Sequence, residues 1–246
     1  VTGDGSAITI TDPESGESWN ENSGLLNGRA EGEGSSVTVV NNGTVGYMVG
    51  AGAEGKGSSV TVSNNGTAGR MEAAGSNGGE AKAANSGVVE GKINVSAGGE
   101  GSKAELINSG EADRIFGGAD EGGATSVTND GKVTGDGSII TITDPNSGES
   151  WKETSGVLSG WAGGEGSSMT VVNNGTAGSM DATGWNGGEV KANNSGVIEN
   201  GVGVNANGEG SKAELTNSGE ANRIYGNANE GGTTSITNDG KVTGDG

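Results

Sequence analysis

The chain has 246 residues, of which 54 are Gly and 32 are Asp or Glu against 13 Lys or Arg, giving a net charge of −19. Leu, Ile, Val and Phe together reach only roughly 15%, and one Phe, two Tyr and four Trp cannot fill a thick interior, so any core must be thin. The absence of Cys and His excludes disulfides, thiol chemistry, Cys/His metal sites and His-based triads, while the acidity argues against nucleic acid and anionic membranes as partners.

The first element is SAITITD, whose alternation places Ile8 and Ile10 inward on a strand, as Ile140 and Ile142 do in the later copy SIITITD. The corners that follow, TDPESGESW (11–19) and TDPNSGESW (143–151), are the longest in the chain and carry Asp12 with Trp19 and Asp144 with Trp151. An aromatic on a protruding loop suits contact with a glycan or a protein partner, and equally it can fold back over its own corner.

From here a glycine ruler runs to the end: Gly24, Gly43, Gly66, Gly87, Gly110, Gly131, Gly156, Gly175, Gly196, Gly219 and Gly240, at intervals of 19 to 25 residues. Periods of this size belong to stacked-coil architectures. Two residues before these glycines stand Asn22, Asn41, Asn64, Asn85, Asn108, Asn129, Asn173, Asn194, Asn217 and Asn238, with Thr154 the exception. Stacked about 4.8 Å apart, such amides form a hydrogen-bonded ladder, and the glycine is expected to take the positive φ of a sharp corner.

Six and four residues before the marker the side chains are mostly apolar or small, as in Val37/Val39, Val60/Val62, Ala81/Ala83 and Ala104/Leu106, with a polar residue between. That is a strand with one buried face. A second strand follows each marker, with Leu26, Val45, Ala68, Val89, Ala112, Val133, Leu158, Ala177, Ile198, Ala221 and Val242 two residues on. Met48, Met71, Ile115, Met180 and Ile224 recur five residues on, in a column that Arg29, Lys92, Asp136, Gly201 and Asp245 break. All intervals are odd, so coils differ by even numbers of residues, which keeps each strand's faces in phase.

These features predict an all-β chain, a right-handed parallel β-helix (β-solenoid) of about 11 coils with 19–25 residues per coil, running as one domain over 1–246. Long repeats, 1–132 and 133–246, lie above the coil, the second one coil shorter; residues 101–137 and 210–246 agree at 30 of 37 positions. TNDGKVTGDG closes the chain where Ser138 would continue it, an unfinished rung to which another copy can add head to tail.

Candidate chemistry is sparse. GAGAEG at 50–55 fits G-x-G-x-x-G but precedes no helical pattern. Asp4, Asp136, Asp120 and Glu121 offer weak calcium positions without the nonapeptide spacing of calcium-binding β-rolls, and solvated acidic turns explain them as well; no other cofactor is expected. The polar columns of Thr, Lys, Glu and Ser form no acid–base constellation, so no enzyme is expected.

The segments VNNGTAG, LINSGEA and VTNDGKVTG resemble the repetitive passenger regions of bacterial autotransporters and filamentous adhesins. The resemblance implies a β-solenoid exported to the cell surface, extracellular, structural or adhesive in role and without catalytic residues. The expected partners are copies of itself, with a glycan or host surface protein as the alternative, and no nucleic acid or membrane insertion.

Overall fold

The computed structural model describes residues 7–11, 18–22, 24–135, 137–143 and 150–244. Among them the chain is all β, without a helix, and is a parallel β-solenoid of about nine coils. Its first two strands, β1 (Ala7–Thr11) and β2 (Ser18–Asn22), form an antiparallel hairpin, and β14 (Ile139–Thr143) and β15 (Ser150–Thr154) form a second.

The remaining strands build two parallel sheets, one short-stranded and one long-stranded. The short strands stack in chain order: β4 (Ser36–Asn41), β6 (Ser59–Asn64), β8 (Glu80–Asn85), β10 (Lys103–Asn108), β12 (Ala124–Asn129), β17 (Ser168–Asn173), β19 (Glu189–Asn194), β21 (Lys212–Asn217) and β23 (Thr233–Asn238). The other sheet begins with β3 (Leu25–Glu31), β5 (Thr44–Glu54), β7 (Thr67–Ser76), β9 (Val88–Gly98) and β11 (Glu111–Asp120). It continues through β13 (Lys132–Val133), β16 (Val157–Gly163), β18 (Thr176–Trp185), β20 (Val197–Asn207), β22 (Glu220–Asn229) and β24 (Lys241–Val242). A coil runs from a short strand through an Asn-x-Gly corner into a long strand, then through a glycine turn to the next short strand.

The core is thin because its columns are small. Val60, Ala81 and Ala104 are in register, as are Val62, Ala83 and Leu106, and all are buried. Alanines and glycines of the long strands face them. Where a larger side chain enters, the opposite wall gives way: a Cβ on Gly160 would stand 2.8 Å from Met169 Cε and 2.5 Å from Val171 Cγ2. A shallow core of this kind still buries a continuous apolar column, because every coil covers its neighbour.

The expected count of eleven coils is corrected to about nine. Gly24 and Gly156 were counted as corners, but each follows a hairpin strand, and β13 and β16 are two pieces of one coil with β14 and β15 inserted between them. Both pieces pair with β11 and with β18. Ile8 and Ile10, with Ile140 and Ile142, therefore lie on antiparallel hairpin strands rather than on solenoid rungs.

The even length differences also have a different cause from the one expected. Between two matched core columns of the long sheet, Val45 and Val49 are four residues apart, whereas their partners Ala68 and Met71 are three apart, the difference absorbed in a bulge. Around the glycine turn, Ala53 to Val60 spans seven residues and the matching Gly75 to Ala81 spans six. A 23-residue coil thus carries one surplus residue at the bulge and one at the turn, both outside the regular ladders. This resolves the broken column: Leu26, Val49, Met71, Ile93, Ile115, Leu158, Met180, Val202 and Ile224 are its true members.

Candidate binding surfaces

The corner column is the most regular feature of the molecule. Asn41 Nδ2 donates to Asn64 Oδ1, Asn64 to Asn85, and so on through Asn108, Asn129, Asn173, Asn194, Asn217 and Asn238, every bond 2.7–2.8 Å long. All run in the same direction. The amides also reach backbone carbonyls, as Asn85 Nδ2 does to Gly87 O at its own corner (3.3 Å) and to Glu111 O on the next coil (3.1 Å), so the column is satisfied where it is buried, from Asn41 to Asn217. Asn22 is not on this column: it sits on β2 opposite Ala7. Asn41 Oδ1 instead accepts from the N–H of Gly43 at 3.1 Å.

Of the marker glycines, Gly24 and Gly156 behind the hairpins have the expected positive φ (70° and 71°), whereas those at the solenoid corners, from Gly43 to Gly240, do not. Gly66, Gly87, Gly110 and their successors lack room for a side chain, since a Cβ on each would overlap the carbonyl oxygen of the glycine one coil back. Positive φ is concentrated at the opposite turns. There Gly55/Gly57 and Gly99/Gly101 alternate with Asn77/Gly78 and Glu121/Gly122. Buried serines stitch these turns together; Ser102 Oγ accepts from Gly78 N at 2.9 Å and donates to Gly98 O at 2.7 Å.

Asp120 and Glu121 meet at such a turn, where Asp120 Oδ1 accepts from the Glu121 N–H at 3.0 Å. Among the described residues no three Asp or Glu side chains are grouped to hold a metal ion. Asp4, Asp12, Asp136 and Asp144 lie outside the described residues. Trp19 and Trp151 fall on hairpin strands, paired with Ile10 and Ile142. At the foot of the second hairpin Gly156 donates to Asp113 O at 3.0 Å, and a Cβ on Gly135 would overlap the backbone of Gly156.

The outward face of the short-strand sheet carries cross-coil ion pairs: Lys103 with Glu80 (3.6 Å), Lys191 with Glu214 (3.3 Å) and Lys212 with Glu189 (2.6 Å). All are exposed and contribute little to stability.

The outward face of the long-strand sheet differs. Its first half carries Tyr47 beneath Arg70, 5.6 Å from guanidinium to ring. Its second half displays Trp161, Trp185 and Tyr225, each well exposed. Tyr225 lies over Gly203 and donates its phenol to Asp181 Oδ1 at 2.6 Å; burial first, and that hydrogen bond second, push its pKa up to about 12. Sequence reasoning missed Trp161 and Trp185 because the inward columns carried the register and the outward face has no period of its own.

Nine stacked coils, a column of amides and outward aromatics define a β-solenoid with a decorated surface. No family model matches the chain, and no curated protein or solved structure matches it either.

Proposed function

We propose that this protein is a structural rod of the bacterial cell surface, a β-solenoid stalk or fibre element whose copies stack head to tail. The supporting observation is a junction inside the chain that its outer coils can reproduce. In the middle, β12 (ATSVTN) stacks on β17 (SMTVVN), and β11 pairs with β16 through Ile115 and Leu158. At one edge, β23 (TTSITN) and β22 keep most of the residues of β12 and β11; at the other, β4 (SVTVVN) differs from β17 only in Val37 for Met169, and β3 keeps Leu26, Gly28 and Ala30 where β16 has Leu158, Gly160 and Ala162 while its other positions differ.

The edge side chains that such stacking covers are Ile236 and Val242, 42% and 47% exposed. A second copy placed with β4 on β23 continues both sheets, buries these residues, and brings Asn238 Nδ2 to Asn41 Oδ1. This is a heterologous contact that propagates without closing. The resemblance to adhesin repeats supports an extracellular setting.

Light scattering across a concentration series, with electron microscopy, tests the reading. Association with fibres one solenoid wide, abolished by Ile236→Lys, supports it. A monomer at all concentrations overturns it.

The adhesin reading is favoured by one observation: both Trp-bearing hairpins are antiparallel additions to a parallel scaffold, each emerging just before a long-sheet strand, β3 or β16.

A further inference from the structure

We propose that the outward face of β16, β18, β20 and β22 binds a neutral polysaccharide of β-linked hexopyranoses, a site separate from the Trp-bearing hairpins and independent of stacking between copies.

Trp161 carries the argument. Its partner across the ladder is Gly118, and Gly163 follows two residues on. A Cβ on Gly118 would stand 2.7 Å from the indole Nε1, and one on Gly163 would stand 3.0 Å from Cζ3. Both ends of the indole therefore rest on bare backbone, one face down, and the side chain remains 43% exposed. Trp185 lies one strand over, opposite Gly163, and is 49% exposed. Two indoles on one flat face, with no side chain between them at Gly163, form a stacking platform for the apolar faces of pyranose rings.

The neighbouring strands supply hydrogen-bonding groups for the ring hydroxyls. Asn227 Nδ2 donates to Asn205 Oδ1 at 2.9 Å, and Asn229 Nδ2 to Asn207 Oδ1 at 2.9 Å, making two amide rows beside the platform. Asn205 Nδ2 reaches Thr183 Oγ1 at 3.4 Å. Side-chain amides have two N–H groups and an oxygen with two lone pairs, so a row with one bond per step keeps further donors and acceptors for a ligand.

Charge selects the class of polymer. On a chain of net charge −19 a polyanionic glycan is repelled, and this face offers only Arg223, over the Tyr225 ring at 5.9 Å, as an outward cation beside the amides. The internal repeat points the same way. Residues 101–137 and 210–246 differ at seven positions, and three of them are successive outward positions of one strand: Phe116 against Tyr225, Gly118 against Asn227, Asp120 against Asn229. The second half gains a phenol and two amides there and loses a carboxylate.

Native affinity electrophoresis of the full chain in gels containing hydroxyethyl cellulose, laminarin or alginate provides the test. Retardation by at least one of the two neutral β-glucans and none by alginate is expected. Trp161→Ala with Trp185→Ala should abolish it while leaving the far-ultraviolet spectrum unchanged, and Trp161→Phe with Trp185→Phe should keep part of it. Gly118→Val, which lifts the indole from its seat, should weaken retardation at least several-fold. The proposal is overturned by no retardation by either neutral glucan, by equal retardation by alginate, by retardation that survives the double Ala change, or by its loss only when Trp19 and Trp151 are replaced. A change in oligomeric state rather than in retardation on the double Ala change assigns the face to a protein contact and also overturns it.

Discussion

Asn129 and Asn173 stand 44 residues apart in the chain and are consecutive rungs of one ladder, joined Nδ2 to Oδ1 at 2.8 Å. The whole of β14 and β15 lies between them, so the hairpin is an insertion that the ladder bypasses. Excising it, with Val133 joined to Leu158 through two residues as Ala112 is joined to Ile115, should leave a cooperatively folding solenoid. Shorter loop closure should stabilise it by up to about 2 kcal/mol. Chemical denaturation followed by circular dichroism checks this; loss of the strand spectrum would show that the hairpin is part of the coil.

Interior and edge positions of the amide column should differ sharply. Asn108→Ala removes the acceptor of Asn85 and the donor to Asn129, both inside the core. Leaving buried partners unsatisfied should cost about 2–6 kcal/mol, counting about 1–3 for each group. Asn238→Ala breaks one ladder bond and a long 3.4 Å bond to Gly240 O at an exposed position and should cost less than about 1 kcal/mol. Equal costs in a urea series would remove the ladder from the stability of the fold.

The two glycine classes make a separate comparison. Gly101 has φ +76 and open space around its missing side chain, so Gly101→Ala meets only the left-handed penalty of about 1–2 kcal/mol. Gly110→Ala places a methyl group on the carbonyl of Gly87 and must push two coils apart. It should destabilise by more than about 3 kcal/mol or prevent folding. A Gly110→Ala protein as stable as Gly101→Ala would refute the close-approach account.

Tyr225 should ionise late. Its raised pKa means the folded state favours the neutral phenol, so the contribution is fully present below pH 10.0 and is lost as pH rises through about 12. Tyrosinate absorbance should show a transition near that upper value that Tyr225→Phe removes. A Tyr225→Phe titration curve differing only in amplitude near pH 10.0 would contradict it.

What the sequence made legible was whatever recurs along the axis. Asn64 and Val60 were readable because each coil repeats them at a fixed distance from its corner, and stacking demands that repetition. Ile140 and Thr154 were misplaced because a hairpin strand has the same alternation as a solenoid strand, and only pairing direction tells them apart. The corner glycines were recognised as special for the wrong reason, since closeness between coils leaves the same residue choice as a positive φ. Trp161 was invisible as a site: its meaning depends on Gly118, 43 positions earlier in the chain and adjacent only after folding.

The amide column has a sense as well as a length. Every carboxamide passes its proton donor the same way along the axis, so the rod has distinguishable poles, one presenting an oxygen at Asn41 and the other a nitrogen at Asn238. Two rods meeting pole to like pole would set lone pair against lone pair or hydrogen against hydrogen. If copies stack head to tail as proposed, the filament is therefore vectorial, and growth from its two tips should proceed at unequal rates.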